Sequence, residues 1–169
     1  EDVFESIESI GEATGRAREA VALVDSLRGA IAAVRGDPPA RRWRTMIVVS
    51  RTPGTVRDVF VAGRGTYLGE LLATAGGTNV FEDALAKYPE PGAEEVLHRN
   101  PELIIEVVPL GKDARAETGL ARAAWGTLPG LEAAARGNVY SIAGDHLLVP
   151  GPRLGEALAD IARVLREAR

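Results

Sequence analysis

Two short runs constrain this chain more than any other feature: Thr45-Met46-Ile47-Val48-Val49-Ser50 and Leu103-Ile104-Ile105-Glu106-Val107-Val108. Each has the length of a strand, is almost wholly apolar, and is rich in β-branched residues. A strand with one wet face alternates apolar and polar side chains. A run that does not alternate is buried on both faces, as in a parallel sheet covered by helices. Segments with helical spacing separate such runs, so strand and helix alternate. The expected fold class is α/β, a Rossmann-like three-layer sandwich with a mostly parallel sheet, preceded by a long N-terminal helix.

That helix carries the strongest periodic signal. Val3, Ile7, Ile10, Val21, Val24, Leu27, Ile31 and Val34 recur at three- and four-residue steps. Glycines at Gly11 and Gly15 predict a break between them, and Gly36-Asp37-Pro38-Pro39 ends the segment. After strand 45–50, a second strand is expected over Val56 to Ala62, then a turn at Gly63-Arg64-Gly65. Thr66 should cap a helix from Tyr67 to Ala75, stopped by Gly76-Gly77. A short strand at 79–81, a helix at 93–99, strand 103–108 and a helix at 114–124 follow. The rest reads as a turn with a short helix (125–135), a strand (138–142) and a closing helix from Pro152 to Glu167.

Bulk properties narrow the function classes. The 169 residues are 46% hydrophobic and 26% charged, an ordinary globular balance. Net charge is −4 with no dense basic stripe, so nucleic acid is not an expected partner. Arg41-Arg42-Trp43-Arg44 reads as a solvated junction between helix and strand. Cysteine is absent, which removes disulfides, thiolate catalysis and cysteine-based zinc sites. No run of about 18 apolar residues occurs. The start, Glu1-Asp2-Val3-Phe4, has neither a methionine nor a signal segment and reads as a cut end.

Catalytic material is sparse. His98 lies in a charged helix and reads as a surface residue, whereas His146 lies in a loop after a strand, where binding residues gather. No closely spaced ligand set exists, so no metal site is assigned. Ser50 and Ser141 lack the Gly-x-Ser-x-Gly elbow that exposes a nucleophile, and no catalytic residue is assigned. Gly63-Arg64-Gly65-Thr66-Tyr67-Leu68-Gly69 has the look of a dinucleotide turn, but its third glycine is misplaced and no acidic partner follows about 20 residues on. The helix that opens there can still offer free amides to an anionic group.

Four ordered stretches together resemble the substrate-binding proteins of ABC importers for ferric siderophores, haem and cobalamin. They are Ile7-Glu8-Ser9-Ile10-Gly11-Glu12-Ala13-Thr14-Gly15-Arg16; the span from Val59 through Thr66-Tyr67-Leu68-Gly69-Glu70 to Ala75-Gly76-Gly77-Thr78-Asn79-Val80-Phe81; Glu94-Glu95-Val96-Leu97 to Asn100-Pro101-Glu102-Leu103-Ile104-Ile105; and Trp125-Gly126-Thr127-Leu128-Pro129 through Gly137-Asn138-Val139-Tyr140 to Pro150-Gly151-Pro152-Arg153. The resemblance implies two α/β lobes around a ligand cleft. Residues 1–38 would be the connecting helix and 39–169 the C-terminal lobe. An N-terminal lobe would precede that helix, and these residues do not contain it.

Strand-end geometry and the resemblance point to the same loops. Candidate ligand-binding residues are Arg51, Thr52, Arg64, Thr66, Tyr67, Tyr88, His146 and Leu147. Tyr67 and Tyr88 would stack on a flat chelate, and Arg51 or Arg64 would pair with its carboxylates. The rival readings are structural: a tyrosine packed on a helix start and arginines solvated at turns. Arg153 is expected to be structural or at the cleft edge. The resemblance also implies that an acidic residue on the lobe docks on the permease: Glu94, with Glu95 as the alternative. No cofactor is expected beyond a chelate ligand such as haem, cobalamin or a ferric siderophore, and the location implied is extracytoplasmic, periplasmic or lipid-anchored. Two alternatives stand beside this reading. One is a small α/β enzyme or nucleotide-binding domain using the 63–69 turn. The other is a half-receptor that self-associates through the apolar surface of its long helix and does not bind ligand alone.

Overall fold

The doubly buried runs form the centre of the sheet. In the computed structural model, which describes residues 2–169, β1 (Arg44–Ser50), β4 (Leu103–Val108) and β5 (Val139–Ala143) lie side by side and parallel. All six β4 residues are buried, as expected of a central strand with helices on both faces. The outer edge of β1 is shared. Near its start it pairs in parallel with β3 (Thr78–Asn79), and near its end antiparallel with β2 (Phe60–Val61). The sheet is therefore mostly parallel.

Alternating β1 and β4 side chains feed two separate cores. Ile47, Leu103, Ile105 and Val107 pack under α3 (Tyr67–Thr74) and α7 (Leu154–Glu167). Met46, Val48 and Ile104 face the other way, against α4 (Ala93–Arg99), α5 (Ala114–Trp125) and α6 (Glu132–Ala135). These are the three layers expected. Ahead of them, α1 (Asp2–Ala13) folds back on α2 (Ala17–Gly36), and α2 lies along α7 with Ile31 and Val34 reaching the first core. Both helices lie in the segment read as helical, and the break falls at Thr14-Gly15-Arg16. The N-terminal reading includes Glu1, which lies outside the described residues.

Three elements depart from expectation. Residues 56–62 hold three valines and a phenylalanine, residue types suited to a strand, yet only Phe60–Val61 pairs. Upstream, Asp58 adopts φ 52° and the Thr52 amide turns back to the Arg57 carbonyl at 3.0 Å, which closes a loop. The short strand falls at 78–79 because the Asn79 side chain bonds the Ala62 carbonyl (2.8 Å) and the Phe81 amide (3.0 Å), bending the chain. The closing helix begins at Leu154, with Arg153 at its cap. The arginine-rich junction is less solvated than its composition suggests. Trp43 is buried and donates to the Leu165 carbonyl at 2.9 Å, while Arg41 stacks on its ring at 4.1 Å.

Candidate functional site

Because β1, β4 and β5 run the same way, their following loops gather along one edge of the sheet. This is where open α/β sheets meet ligands. Arg51 to Asp58 follow β1, Pro109 to Asp113 follow β4, and Gly144 to Val149 follow β5. Phe60, opposite Ser50 in the β2 register, sits at the same edge.

The β1 loop is tightly built. Thr52 donates its hydroxyl to Asp58 Oδ2 at 2.5 Å, and the Thr55 hydroxyl donates to the Thr52 carbonyl at 3.1 Å. Arg51 turns inward instead of towards solvent. Its Nε and Nη2 grip the buried Glu106 carboxylate at 2.6 and 3.1 Å, and Nη1 donates to the Thr55 carbonyl at 2.9 Å. One of the two cations expected to meet a ligand carboxylate is thus already neutralised. Arg64 is exposed at its turn, and among the described residues it makes no ion pair within 4.0 Å.

Thr66 is buried and acts as a helix cap. Its hydroxyl donates to the Gly63 carbonyl (2.8 Å) and accepts from the Gly69 amide (3.1 Å). Tyr67 is half-buried, with its hydroxyl 3.4 Å from the His146 carbonyl, and burial pushes its phenol up to about 12. The α3 start therefore touches the β5 loop.

That loop is pinned twice. The His146 ring is buried and shares its Nε2 with Asp160 Oδ2 at 3.1 Å. Gly144 makes room for it: a Cβ there would lie 2.2 Å from the imidazole. Asp145 pairs with Arg153 at 2.5 Å, and that hydrogen bond holds its carboxyl below the usual carboxylate range. Leu147 is buried as well. So Thr66, His146 and Leu147 shape the loops from beneath, and Thr52, Arg64 and Tyr88 stand nearer solvent.

Tyr88 reaches the surface because the carbonyls of Lys87 and Pro89 accept from Gly63 and Val61, laying its loop along the outer edge of β2. Beyond it, Gly92 leads into α4. Glu95 is engaged by Arg99 at 3.0 Å, and Arg99 also holds Asp83 at 2.5 Å. Glu94 is exposed and, among the described residues, lies in no such pair.

Of the apolar residues at the strand ends, sequence reasoning passed over Phe60, Leu110 and Val149. Leu110 after β4, Leu148 and Val149 after β5, and Phe60 on β2 are all exposed. The parallel strands and the β2 pairing place these four at one edge of the sheet, where apolar side chains left to solvent mark a surface suited to a ligand or partner. The signal was present as leucine and valine inside loops otherwise made of Gly, Pro and charged residues. Among the described residues no cluster of His, Asp or Glu is placed to hold a metal ion.

The sequence matches the periplasmic binding protein family over residues 1–145. The chain belongs to that family. A cobalamin-binding protein of Halobacterium salinarum is 28% identical over 163 residues, covering 95% of this chain and 42% of the relative. An uncharacterized ABC transporter substrate-binding lipoprotein of Bacillus subtilis is 25% identical over 165 residues, 95% of this chain and 49% of the relative. The structure of a possible iron-binding periplasmic solute-binding protein from Staphylococcus epidermidis superimposes with a TM-score of 0.81 at 24% identity, over 96% of this chain and 61% of that one. The periplasmic-binding-protein fold is thereby established. This chain spans less than half the length of both sequence relatives. Those relatives are named as binding proteins, which agrees with a strand-end edge that displays apolar surface and an Arg51 already paired with Glu106.

Proposed function

We infer that this α/β unit forms one wall of a two-lobed receptor cleft that captures a bulky metal chelate of the corrinoid class for an ABC importer. Residues 1–38 serve as the connecting segment and 39–169 as the lobe. The observation that carries this reading is the apolar edge made by Phe60, Leu110, Leu148 and Val149, exposed by 39%, 70%, 48% and 64%. Such a wall suits the broad, weakly charged face of a corrin better than the carboxylates of haem or an anionic siderophore. The neutralisation of Arg51 supports the same choice. Tyr88 flanks the wall as a stacking residue. The cobalamin-binding relative points the same way. The reading places the protein outside the cytoplasmic membrane, facing a permease.

Titration with cyanocobalamin, hemin and a ferric hydroxamate, followed by absorbance and tryptophan fluorescence, tests it. Cyanocobalamin binding one-to-one, weakened at least about tenfold by Leu148→Asp, is expected. Preference for hemin, or binding unaffected by that change, refutes the corrinoid wall. For the permease, Glu94 is the docking acid, because Glu95 is held by Arg99. Glu94→Arg should leave chelate binding unchanged and lower receptor-stimulated ATP hydrolysis, whereas Glu95→Arg should do so less.

A second reading has its own observation. Ile10 and Val21 on the α1–α2 pair are 64% and 53% exposed, a surface a second copy could cover. Sedimentation of the isolated chain decides it: a dimer supports self-association and a monomer removes it.

A further inference from the structure

A charge in the middle of a central strand needs a reason. Glu106 is the fourth residue of a strand whose six positions are all buried, and an unpaired carboxylate there would be costly. Three donors converge on it. Trp125 Nε1 and Arg51 Nε both reach Oε1 at 2.6 Å, and Arg51 Nη2 reaches Oε2 at 3.1 Å. The donors come from two places: Trp125 ends α5, and Arg51 is the first residue after β1.

Arg51 does more than neutralise the acid. The third nitrogen of its guanidinium donates forward to the carbonyl of Thr55 at 2.9 Å, inside the loop that follows. A rigid planar fork fixes both contacts at once. The remaining bonds of the loop are short-range, among them Thr52 with Asp58, Thr55 with Thr52, the Arg57 amide with the Thr55 hydroxyl, and the Thr52 amide with the Arg57 carbonyl. Among the bonds described for residues 51–58, the Arg51–Glu106 bridge is the one that ties this loop to a neighbouring strand. Asp58 takes the left-handed region at φ 52°, uncommon for a non-glycine residue though tolerated best by Asn and Asp, and its side chain is held there by Thr52.

We propose that Glu106, held by Trp125 and gripping Arg51, is the positioning residue that sets the shape of the 51–58 loop and so of the ligand wall leading to Phe60. This rests on the receptor reading above, but its first test does not use ligand. A purely structural pair would act only through its charges, so removing both should restore the fold and the loop together. A positioning pair needs the fork itself.

The experiment compares the parent chain, Glu106→Gln, and the double variant Arg51→Gln with Glu106→Gln. Amide hydrogen exchange is read by NMR beside thermal melting. In the double variant the melting temperature should recover towards the parent, with exchange in β1 and β4 unchanged. The Thr52 and Thr55 amides should nonetheless exchange about tenfold faster or more. Cyanocobalamin affinity should fall by a similar factor while melting does not follow it. Parent-like exchange at Thr52 and Thr55 in the double variant overturns the proposal. If Glu106→Gln does not fold, Arg51→Lys keeps the charge and loses the fork: faster exchange at the same two amides supports the proposal, and parent-like exchange overturns it. A parent chain that prefers hemin to cyanocobalamin overturns the corrinoid reading, even where loop exchange responds as expected, and loop exchange alone then decides the positioning role.

Discussion

The sheet unit and the α1–α2 pair bury their apolar residues to very different depths. Around the sheet, two cores are filled from both sides by helices, and side chains such as Ile104, Leu158 and Trp125 lose contact with water altogether. In the helical pair the buried set is Ile7, Ala20, Val24 and Leu27, with Ile10 and Val21 left facing outward. Both regions have regular patterns, so pattern alone does not separate them. The difference is the number of layers. A central strand is covered on two faces, while a helix laid on the outside of α7 is covered on one. The pair is thus the low-stability end of the molecule, and the sheet unit holds its own core.

The contrast can be broken most directly by cavities. Leu158→Ala should cost about 3 kcal/mol or more, and Ile7→Ala on α1 no more than about 1.5 kcal/mol, in urea denaturation followed by circular dichroism. Equal losses would show that the helical pair is integral to the main core.

Next in size is the loss of a donor to the buried acid. Trp125→Phe takes away one of the donors to Glu106 and should cost about 2 kcal/mol. Trp43→Phe removes a neutral bond to the Leu165 carbonyl and should cost about 1 kcal/mol in the same assay. A reversed order would place the principal polar constraint of the sheet unit at its arginine-rich junction.

The junction itself sharpens the comparison through pH. Burial works against the Glu102 carboxylate, but the Arg41 guanidinium and the Arg44 amide outweigh it and hold its pKa below the ordinary 4.5. A carboxyl with a lowered folded pKa stabilises above its unfolded value, and that contribution is lost as pH falls through the folded one. The acid limb of a stability–pH curve should therefore be shallower in Glu102→Gln, by less than about 1 kcal/mol in total, since Arg41 is half exposed. Stability above pH 6 should show only the constant loss of the contact.

The smallest effect is expected on the outer face of the helical pair. Ile10→Lys should change stability by about 0.5 kcal/mol or less. Its informative readout is mass in solution. If a dimer becomes monomeric on this change, the exposed face is an interface between copies.

Much of the architecture could be read along the chain. The runs at 45–50 and 103–108 lack alternation, and only a two-sided environment tolerates that. The glycine break before α2, the Thr66 cap and the stop at Gly76, where φ is +92°, are local events decided by neighbouring residues. Segment 56–62 misled for the opposite reason. Its valines and Phe60 favour a strand by residue type, but the ladder it would join is interrupted by contacts that Arg51 and Thr52 make with Thr55 and Asp58.

The site was less legible than the fold. Arg51 stands after a strand like a free ligand-binding cation, and the residue that engages it lies 55 positions away. One sign was available: a glutamate inside an otherwise apolar run cannot be buried without a cationic or hydrogen-bonding partner. Nothing local identifies that partner. His146 shows the same gap. Its loop position suggested a ligand contact, and its ring is directed under the loop to Asp160. Leu110, Leu148 and Val149 carry no periodic signal, so their gathering at one edge emerges only when the parallel strands bring their ends together.

By itself, then, the sequence determined the layer architecture, because burial on two faces and helical spacing are written into short windows of residues. It also determined the start of α3 and its stop at Gly76, because caps and glycines act within a turn. Tertiary structure alone decided which charges are free. Arg51 and Glu106 neutralise each other across adjacent parallel strands, and Glu95 is held while Glu94 is left to solvent. Those choices depend on strand register and helix placement, which bring together residues that the chain keeps far apart.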